Sequence, residues 1–420
     1  MIRSRRVLDA ICSTLLRPTK PSHAQCLYSS TKADDIPENA AKEPKRTVVF
    51  SGIQPTGALH LGNYLGAVKL WKDLQEHSDK SLIISVVDLH AITMRWDPQI
   101  LRKNIMAMFA QLVACGIDPA KTILFLQSTV PEHCQLQWIF SCITTLARID
   151  NLPHFKEKSA PLQPKKHVEG QPLPQIDAGC GLLMYPILQA ADILLYRSQL
   201  VPVGEDQVHH LQLAQHIARV FNNKHGKYFP QPQRLHSEQP RVKSLRDPTK
   251  KMSKSDTDVK SRVDVTDTPE QIHEKLRKAV TDSTSALTHD PESRPALANL
   301  ISLYATVTDS SVSRAMQELQ HSDKVAFKAR LADAIITMLF PIQQELQRLE
   351  ADAGYLQGLI ENGREKARLI AQETMHDVLR VVGCRDEPVH KACHDPEEEE
   401  CRERVHGMSP SEFRHKIENE

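Results

Sequence analysis

Val48-Val49-Phe50-Ser51-Gly52-Ile53-Gln54-Pro55-Thr56-Gly57-Ala58-Leu59-His60-Leu61-Gly62-Asn63 reads as a strand end, a turn and a helix start. Val48, Val49 and Phe50 make a short apolar run. Pro55 and Gly57 punctuate the turn. Tyr64, Leu65, Val68 and Trp71 then fall at roughly helical spacing. A strand, a glycine-containing turn and a helix in that order put free backbone N–H groups and a positive dipole end at the carboxyl edge of a sheet, where phosphates bind. Neither G-x-x-x-x-G-K-[ST] nor G-x-G-x-x-G after a strand occurs in the chain. A nucleotide site here is therefore of another type.

Further along, Leu82–Val87 and Thr122–Leu126 are short runs rich in β-branched residues, as parallel strands covered on both faces are. Leu101, Ile105, Met108 and Leu112 recur at i, i+4, i+7 and i+11 between them. Strand–helix–strand alternation predicts an α/β fold with a doubly wound parallel sheet. Residues 131–158 read as helical, with Trp138, Ile139, Ile143 and Leu146 as the apolar positions. Pro161 to Gly179 is a long loop rich in Pro, Gln, Lys and Gly, a length that points to function or mobility. Leu182 to Tyr196 is the most apolar helical stretch, with Asp192 inside it. Val201 to Gln207 reads as a short strand and turn before a helix whose core side includes Leu211, Ala214, Ala218 and Phe221.

From about Pro269 to Val382 the pattern is helical only. Phe327, Leu331, Ile335, Met338, Ile342 and Leu346 form one long stripe, which Pro341 is expected to kink. This predicts a separate all-helical C-terminal domain. The organisation is then a leader and linker over 1–46, an α/β domain over 47–262 with a helical insertion at about 131–180, a helical domain over 263–383, and a disordered acidic tail over 384–420. Within residues 1–46 the leader, 1–32, carries Arg3, Arg5, Arg6, Arg17, Lys20 and Lys32 against Asp9 alone, is rich in serine, and matches a mitochondrial transit peptide. The competing reading is a basic tail with no address.

At 420 residues with a formal net charge of +1, there is no global electrostatic pull toward nucleic acid, so any RNA contact needs a local patch. No apolar run reaches the ~18 residues of a membrane span. Nine cysteines, with no C-x-x-C pair, indicate free thiols in a reducing compartment. Cys384, His390, Cys393, His394, Cys401 and His406 in the tail match no familiar zinc spacing, and no metal site is assigned.

Pro55-Thr56-Gly57 followed by His60-Leu61-Gly62-Asn63 resembles the first signature of the class I aminoacyl-tRNA synthetases, His-Ile-Gly-His, and Lys251-Met252-Ser253-Lys254-Ser255 matches their second in full. Alone, His60 is more often a surface or capping histidine, and a Lys/Ser pentamer a solvated loop. Together and in this order, on an α/β background, they favour catalysis. Ser51 to Gly57, Asp88 to Thr93, Ala190 to Leu194 and Val203 to Gln207 look like the tryptophanyl-tRNA synthetases in particular, from about Thr47 to Gly383, and with the leader like their mitochondrial members.

The resemblance implies a Rossmann-like catalytic domain, a homodimer, and ligation of L-tryptophan to tRNA(Trp) with ATP and Mg2+ in the mitochondrial matrix. It implies no prosthetic group. It implies that Gln54, Pro55, Thr56, Gly62, Asn63, Gly204, Glu205, Asp206, Val242 and Lys251, Met252, Ser253, Lys254 and Ser255 line the ATP site. Of these Asn63, Asp206, Lys251 and Lys254, with His60, would be catalytic. Gln207 and Tyr185 would hold the ammonium and carboxylate, and Asp192 would accept the indole N–H. Phe50 and His90, with Val201 and Val203, are candidate pocket walls. Gln189 stands where bacterial members usually have methionine, which makes a polar, tyrosine-like pocket worth testing. Arg277, Lys278, Arg364, Lys366 and Arg368 are candidate RNA contacts, each weighed against a solvated helix face.

The chemistry suits these residue types. In amino-acid activation an already ionised carboxylate attacks the α-phosphorus of ATP, so catalysis is positioning plus charge stabilisation, supplied by a helix start and mobile cations. The lysine segment is then expected to arrive when substrates bind. Three rivals remain: a tyrosyl enzyme of the same fold, a catalytically dead RNA-binding homologue, and a small-molecule adenylyltransferase, the last disfavoured by the helical domain.

Overall fold

The computed structural model describes residues 46–150, 152, 179–235, 242–254 and 256–385. The leader, most of the Pro161–Gly179 loop, Ser255 and the tail beyond Arg385 lie outside the described residues. Arg46 begins one compact unit.

A parallel sheet of five strands in the order β3-β2-β1-β4-β5 forms its centre. The strands are β1 Thr47–Ile53, β2 Lys80–Val86, β3 Ile123–Leu126, β4 Leu200–Val201 and β5 Gln233–Arg234. Val49 lies opposite both Leu82 and Leu200, so β1 is the middle strand. The chain winds outward from β1 in one direction to β3 and in the other to β5. The crevice beyond the carboxyl ends of β1 and β4 is therefore the topological switch point, where open α/β sheets bind ligands.

Helix α1 follows β1. Its first turn is Leu61–Asn63, it widens into π-helical turns over Tyr64–Val68, and it returns to α-geometry over Lys69–Gln75. Then come α2 Asp88–Ala91, α3 Pro98–Ala114, α4 Glu132–Ile143, α5 Leu146–Asp150, α6 Cys180–Leu195 and α7 Val208–His225. The C-terminal helices are α8 Pro269–Arg277, α9 Pro295–Val307, α10 Val312–Leu319, α11 Lys324–Glu350 and α12 Ala353–Val381.

The helical part shares its packing with the sheet. One buried cluster joins Val49, Leu82 and Met108 to Phe327, Leu331 and Ile335, and a second joins Phe50, Phe125 and Phe140 to Ala367, Ala371 and Val378. The C-terminal helices expected to stand apart are thus docked on the α/β core. Helix α11 buries Phe327, Leu331, Ile335, Ile342 and Leu346 of the expected stripe, leaves Met338 half-buried, and runs as one element through Pro341. Of the apolar positions of residues 131–158, Trp138 and Leu146 are largely exposed, at 69 % and 75 %. Periodicity identifies an apolar face without saying what covers it.

Docking of α12 on β3 is close enough to require glycine at one position. A Cβ on Gly363 would lie 1.8 Å from the Leu124 carbonyl oxygen and 2.8 Å from its carbon. Both partners are backbone, so neither swings aside. Gly363→Ala is expected to destabilise the protein by about 3 kcal/mol or more, at or above the upper end of the overpacking range, read as a lowered midpoint in denaturant unfolding. An unchanged midpoint would show that α12 can shift without cost.

Candidate active site

The turn after β1 is held from two sides. The Leu59 N–H donates to Oε1 of buried Gln111 on α3 at 2.6 Å. Leu61 N donates to Val263 O, and Val265 N to Leu59 O, both at 2.8 Å. Gly57 sits at φ +125°, a conformation that side-chain-bearing residues rarely adopt. His60 is 3 % exposed and caps α1: its Nδ1 accepts the Asn63 N–H at 3.2 Å, and Asn63 Oδ1 accepts the His60 N–H at 3.5 Å. Burial first, then Lys254, Lys251 and Arg262, lower the His60 pKa to about 3. The ring is neutral at physiological pH and acts as a cap acceptor.

The lysine segment is a tight return. Ser244 N donates to Lys250 O and Met252 N to Val242 O. Asn299 on α9 clamps the outer strand, accepting the Lys243 N–H at 3.1 Å. Met252 is 1 % exposed and belongs to the main core, so it anchors the segment. Lys254 Nζ donates to the Gly57 carbonyl at 2.9 Å. Lys254 of the segment thus meets the turn after β1 through the Gly57 carbonyl. Burial first lowers the Lys254 pKa to about 8, with Asp264 opposing and Arg262 adding to the shift.

A cavity of about 440 Å³ opens at the switch point between these parts. Gly62, Asn63, Gly204, Glu205, Asp206, Val242 and Lys251, seven of the residues named for ATP, line it together. Trp71 and Arg234 line it too and were not foreseen. Gln54 and Thr56 are exposed, Pro55 is buried, and Met252, Ser253 and Lys254 stand beside the cavity rather than on its wall.

A second cluster surrounds α6. Tyr185 Oη lies 3.3 Å from His210 Nε2, and His210 Nδ1 lies 2.9 Å from Gln207 Oε1. Gln189 Nε2 donates to the same Gln207 oxygen at 3.3 Å. Gln189 thus orients Gln207. His90 meets Tyr185 edge-on and lies 2.9 Å from Asp192 Oδ2, while Phe50 stacks on Tyr196. The six residues expected for the amino-acid pocket are together here. Asp192 is buried completely. That burial raises its pKa, but the ring nitrogens that His133 and His90 turn toward it outweigh the burial and hold the carboxyl well below its ordinary value.

The family described as "tRNA synthetases class I (W and Y)" matches residues 42–339. The tryptophan–tRNA ligase of Rickettsia conorii is 41 % identical over 340 residues, covering 80 % of this chain and 99 % of that one. The chain belongs to the tryptophanyl-tRNA synthetases. The mitochondrial tryptophan–tRNA ligase of Caenorhabditis elegans is 40 % identical over 342 residues, covering 80 % of this chain and 91 % of the other. The tryptophanyl-tRNA synthetase of Campylobacter jejuni, solved complexed with ADP and tryptophan, superposes with a TM-score of 0.68 at 30 % identity, over 80 % of this chain and all of that one.

As a tryptophanyl-tRNA synthetase, the chain uses several of its expected RNA-binding cations internally. Lys366 Nζ donates to Pro119 O, Arg368 Nε to Glu132 Oε1, Arg364 pairs with Glu361, and Lys278 with Glu274. Lys366 and Arg368 clasp α12 to the catalytic part. Arg277 is exposed and lines a second cavity, of about 810 Å³, with Glu274, Lys324 and Lys328. Sequence reasoning also missed Gln127, His133, Tyr196 and His210. Buried polar residues inside apolar runs leave no periodic signal.

Proposed function

We propose that the chain activates L-tryptophan with ATP, taken as its Mg2+ complex, and then transfers the tryptophanyl group to tRNA(Trp). The tryptophan carboxylate attacks the α-phosphorus, the bond to the bridging oxygen breaks, and pyrophosphate leaves. A hydroxyl of the terminal ribose then attacks the carbonyl of the adenylate and AMP leaves. One observation carries the reading: Gly62–Asn63, Gly204–Asp206 and Lys251, far apart in sequence, line one cavity at the β1/β4 switch point. In this reading the α1 start and Asn63 meet phosphate, Lys251 and Lys254 balance the charge on the leaving pyrophosphate, and Asp206 and Glu205 meet the nucleoside side. His60 holds the helix start that does so. The test is amino-acid-dependent pyrophosphate exchange into ATP across all amino acids. Exchange with tryptophan alone is expected. A preference for tyrosine would select the tyrosyl enzyme, and no exchange would leave only an RNA-binding role.

A homodimer fits the outer face of α4. Cys134, Trp138 and Cys142 lie four residues apart and are exposed, with Leu146 beyond. An exposed tryptophan on such a face suits burial against a second copy. Trp138→Glu is expected to shift the species in light scattering from dimer to monomer, and an unchanged dimer places the interface elsewhere. The helical part, with Arg277 exposed on it, is the proposed anticodon reader.

The site of action proposed is the mitochondrial matrix. It is supported by the basic, acid-poor leader and by the similarity to the mitochondrial enzyme of Caenorhabditis elegans. A fluorescent reporter carrying residues 1–46 is expected to enter mitochondria, and a cytosolic reporter would refute the address.

A further inference from the structure

Asp192 is held by more than the pocket requires. It is 1 % exposed, and three side chains turn nitrogens toward its carboxylate. Gln127 Nε2 donates to both oxygens, at 2.8 and 2.9 Å. His90 Nε2 lies 2.9 Å from Oδ2, and His133 Nδ1 only 2.6 Å from Oδ1. An ionised carboxylate only accepts, so each facing ring nitrogen carries its hydrogen. The other nitrogen of His133, Nε2, lies 2.9 Å from Tyr196 Oη. Burial first, then the charge on Asp192, raises the Tyr196 pKa well above its ordinary value, so the hydroxyl keeps its proton. It is placed to donate to Nε2, which selects the His133 tautomer with hydrogen on Nδ1.

The rings themselves cannot drift. His133 stacks on Phe125 at 5.7 Å and 25°, and Tyr196 stacks on Phe50 at 5.6 Å and 11°. His133 and Gln127 are fully buried and Tyr196 is 2 % exposed. None of the three lines the nucleotide cavity.

We propose that Tyr196 and His133 form a positioning relay, Tyr196 O–H to His133 Nε2 and His133 Nδ1–H to Asp192 Oδ1, which aims the carboxylate at the indole N–H of tryptophan and so sets the preference for a substrate bearing that donor. The inference rests on Asp192 reading the indole N–H. A buried acceptor discriminates by the penalty of leaving it unpaired, and that penalty is full only when its direction is fixed. Asp192 rotates about two side-chain torsions, and packing alone does not fix an oxygen. Donors on rings locked by stacking do.

The test compares tryptophan with β-(3-benzothienyl)alanine, its isostere with sulfur in place of the N–H, in pyrophosphate exchange by the full chain. The unaltered protein is expected to prefer tryptophan by about 10⁴-fold in kcat/KM. His133→Phe keeps the ring and removes both nitrogens. It is expected to raise KM for tryptophan about tenfold or more, to leave KM for ATP unchanged, and to cut the preference about tenfold or more. His133→Asn returns an N–H donor near the Nδ1 position and is expected to restore most of both. Tyr196→Phe removes one oxygen from a stacked ring and is expected to fall between. Should His133→Phe fail to fold, Tyr196→Phe and His133→Asn decide by the same ratio. A preference kept within about twofold in Tyr196→Phe and His133→Phe, or equal losses on both substrates, overturns the relay and leaves the reading of Asp192 standing. No preference in the unaltered protein overturns that reading and the relay with it.

Discussion

Lys254→Ala is expected to lower tryptophan-dependent pyrophosphate exchange by about 10²–10³-fold, the loss typical of removing one preorganised charge stabiliser from a transition state. The fold should survive, because the neighbouring Met252, not Lys254, anchors the segment in the core. Lys254 gives up hydration to sit against Gly57 O, and with a pKa lowered to about 8 it loses charge just above physiological pH. Activation should therefore fall as pH rises through about 8, and the variant should lack that limb. Stability should move the other way. Between about 8 and the ordinary 10.5 the unfolded chain holds this proton more firmly than the folded one, so the lysine's burial penalty eases as pH rises. Exchange rates and denaturant midpoints over the same pH series check both signs. An alkaline limb that persists in Lys254→Ala would assign it to another group.

The second large effect concerns Asp192→Ala. His90, Gln127 and His133 would be left facing an empty site, and removing one partner from a buried hydrogen-bonded charge network costs about 3–5 kcal/mol. Tryptophan would lose its acceptor as well, so kcat/KM for tryptophan should fall by about 10³-fold beyond any loss of folded protein. Urea unfolding separates the two, and KM for ATP should hold. The carboxylate's contribution has a sign in pH: it is whole above the ordinary value of 3.8 and drains as pH falls toward the lower folded value, so the variant should show a flatter acid limb. A variant with native stability would mean that the three donors find other partners.

Much of this site was legible in sequence because its chemistry is carried by glycines, lysines and turns. The Phe50–Asn63 stretch announces a strand, a turn and a helix, and β1 and α1 follow it within a few residues. Asp192 stood out as a charge in an apolar helix. What holds Asp192 did not stand out. His133 follows an ordinary helix start and Tyr196 ends an apolar run, and only the crossing of α4 and α6 brings their rings to 5.5 Å. The internal bonds of Lys366 and Arg368, to Pro119 O and Glu132, were hidden for the same reason. A cation on a helix reads as solvent-facing or RNA-facing until the fold places a carbonyl or a carboxylate beside it.

The reciprocal cap at the start of α1 bears on which variants of this chain can persist. His60 and Asn63 are each the other's partner, through Nδ1 and Oδ1. A change at one position alters what the other has to satisfy, so their effects should not add. The cap as it stands uses a short acceptor at position 63 reaching back to the His60 N–H. Asparagine meets that demand, and so does the histidine that ends the class I signature. A double-mutant cycle at positions 60 and 63, read by denaturant unfolding, is expected to give a coupling that the two single changes do not sum to.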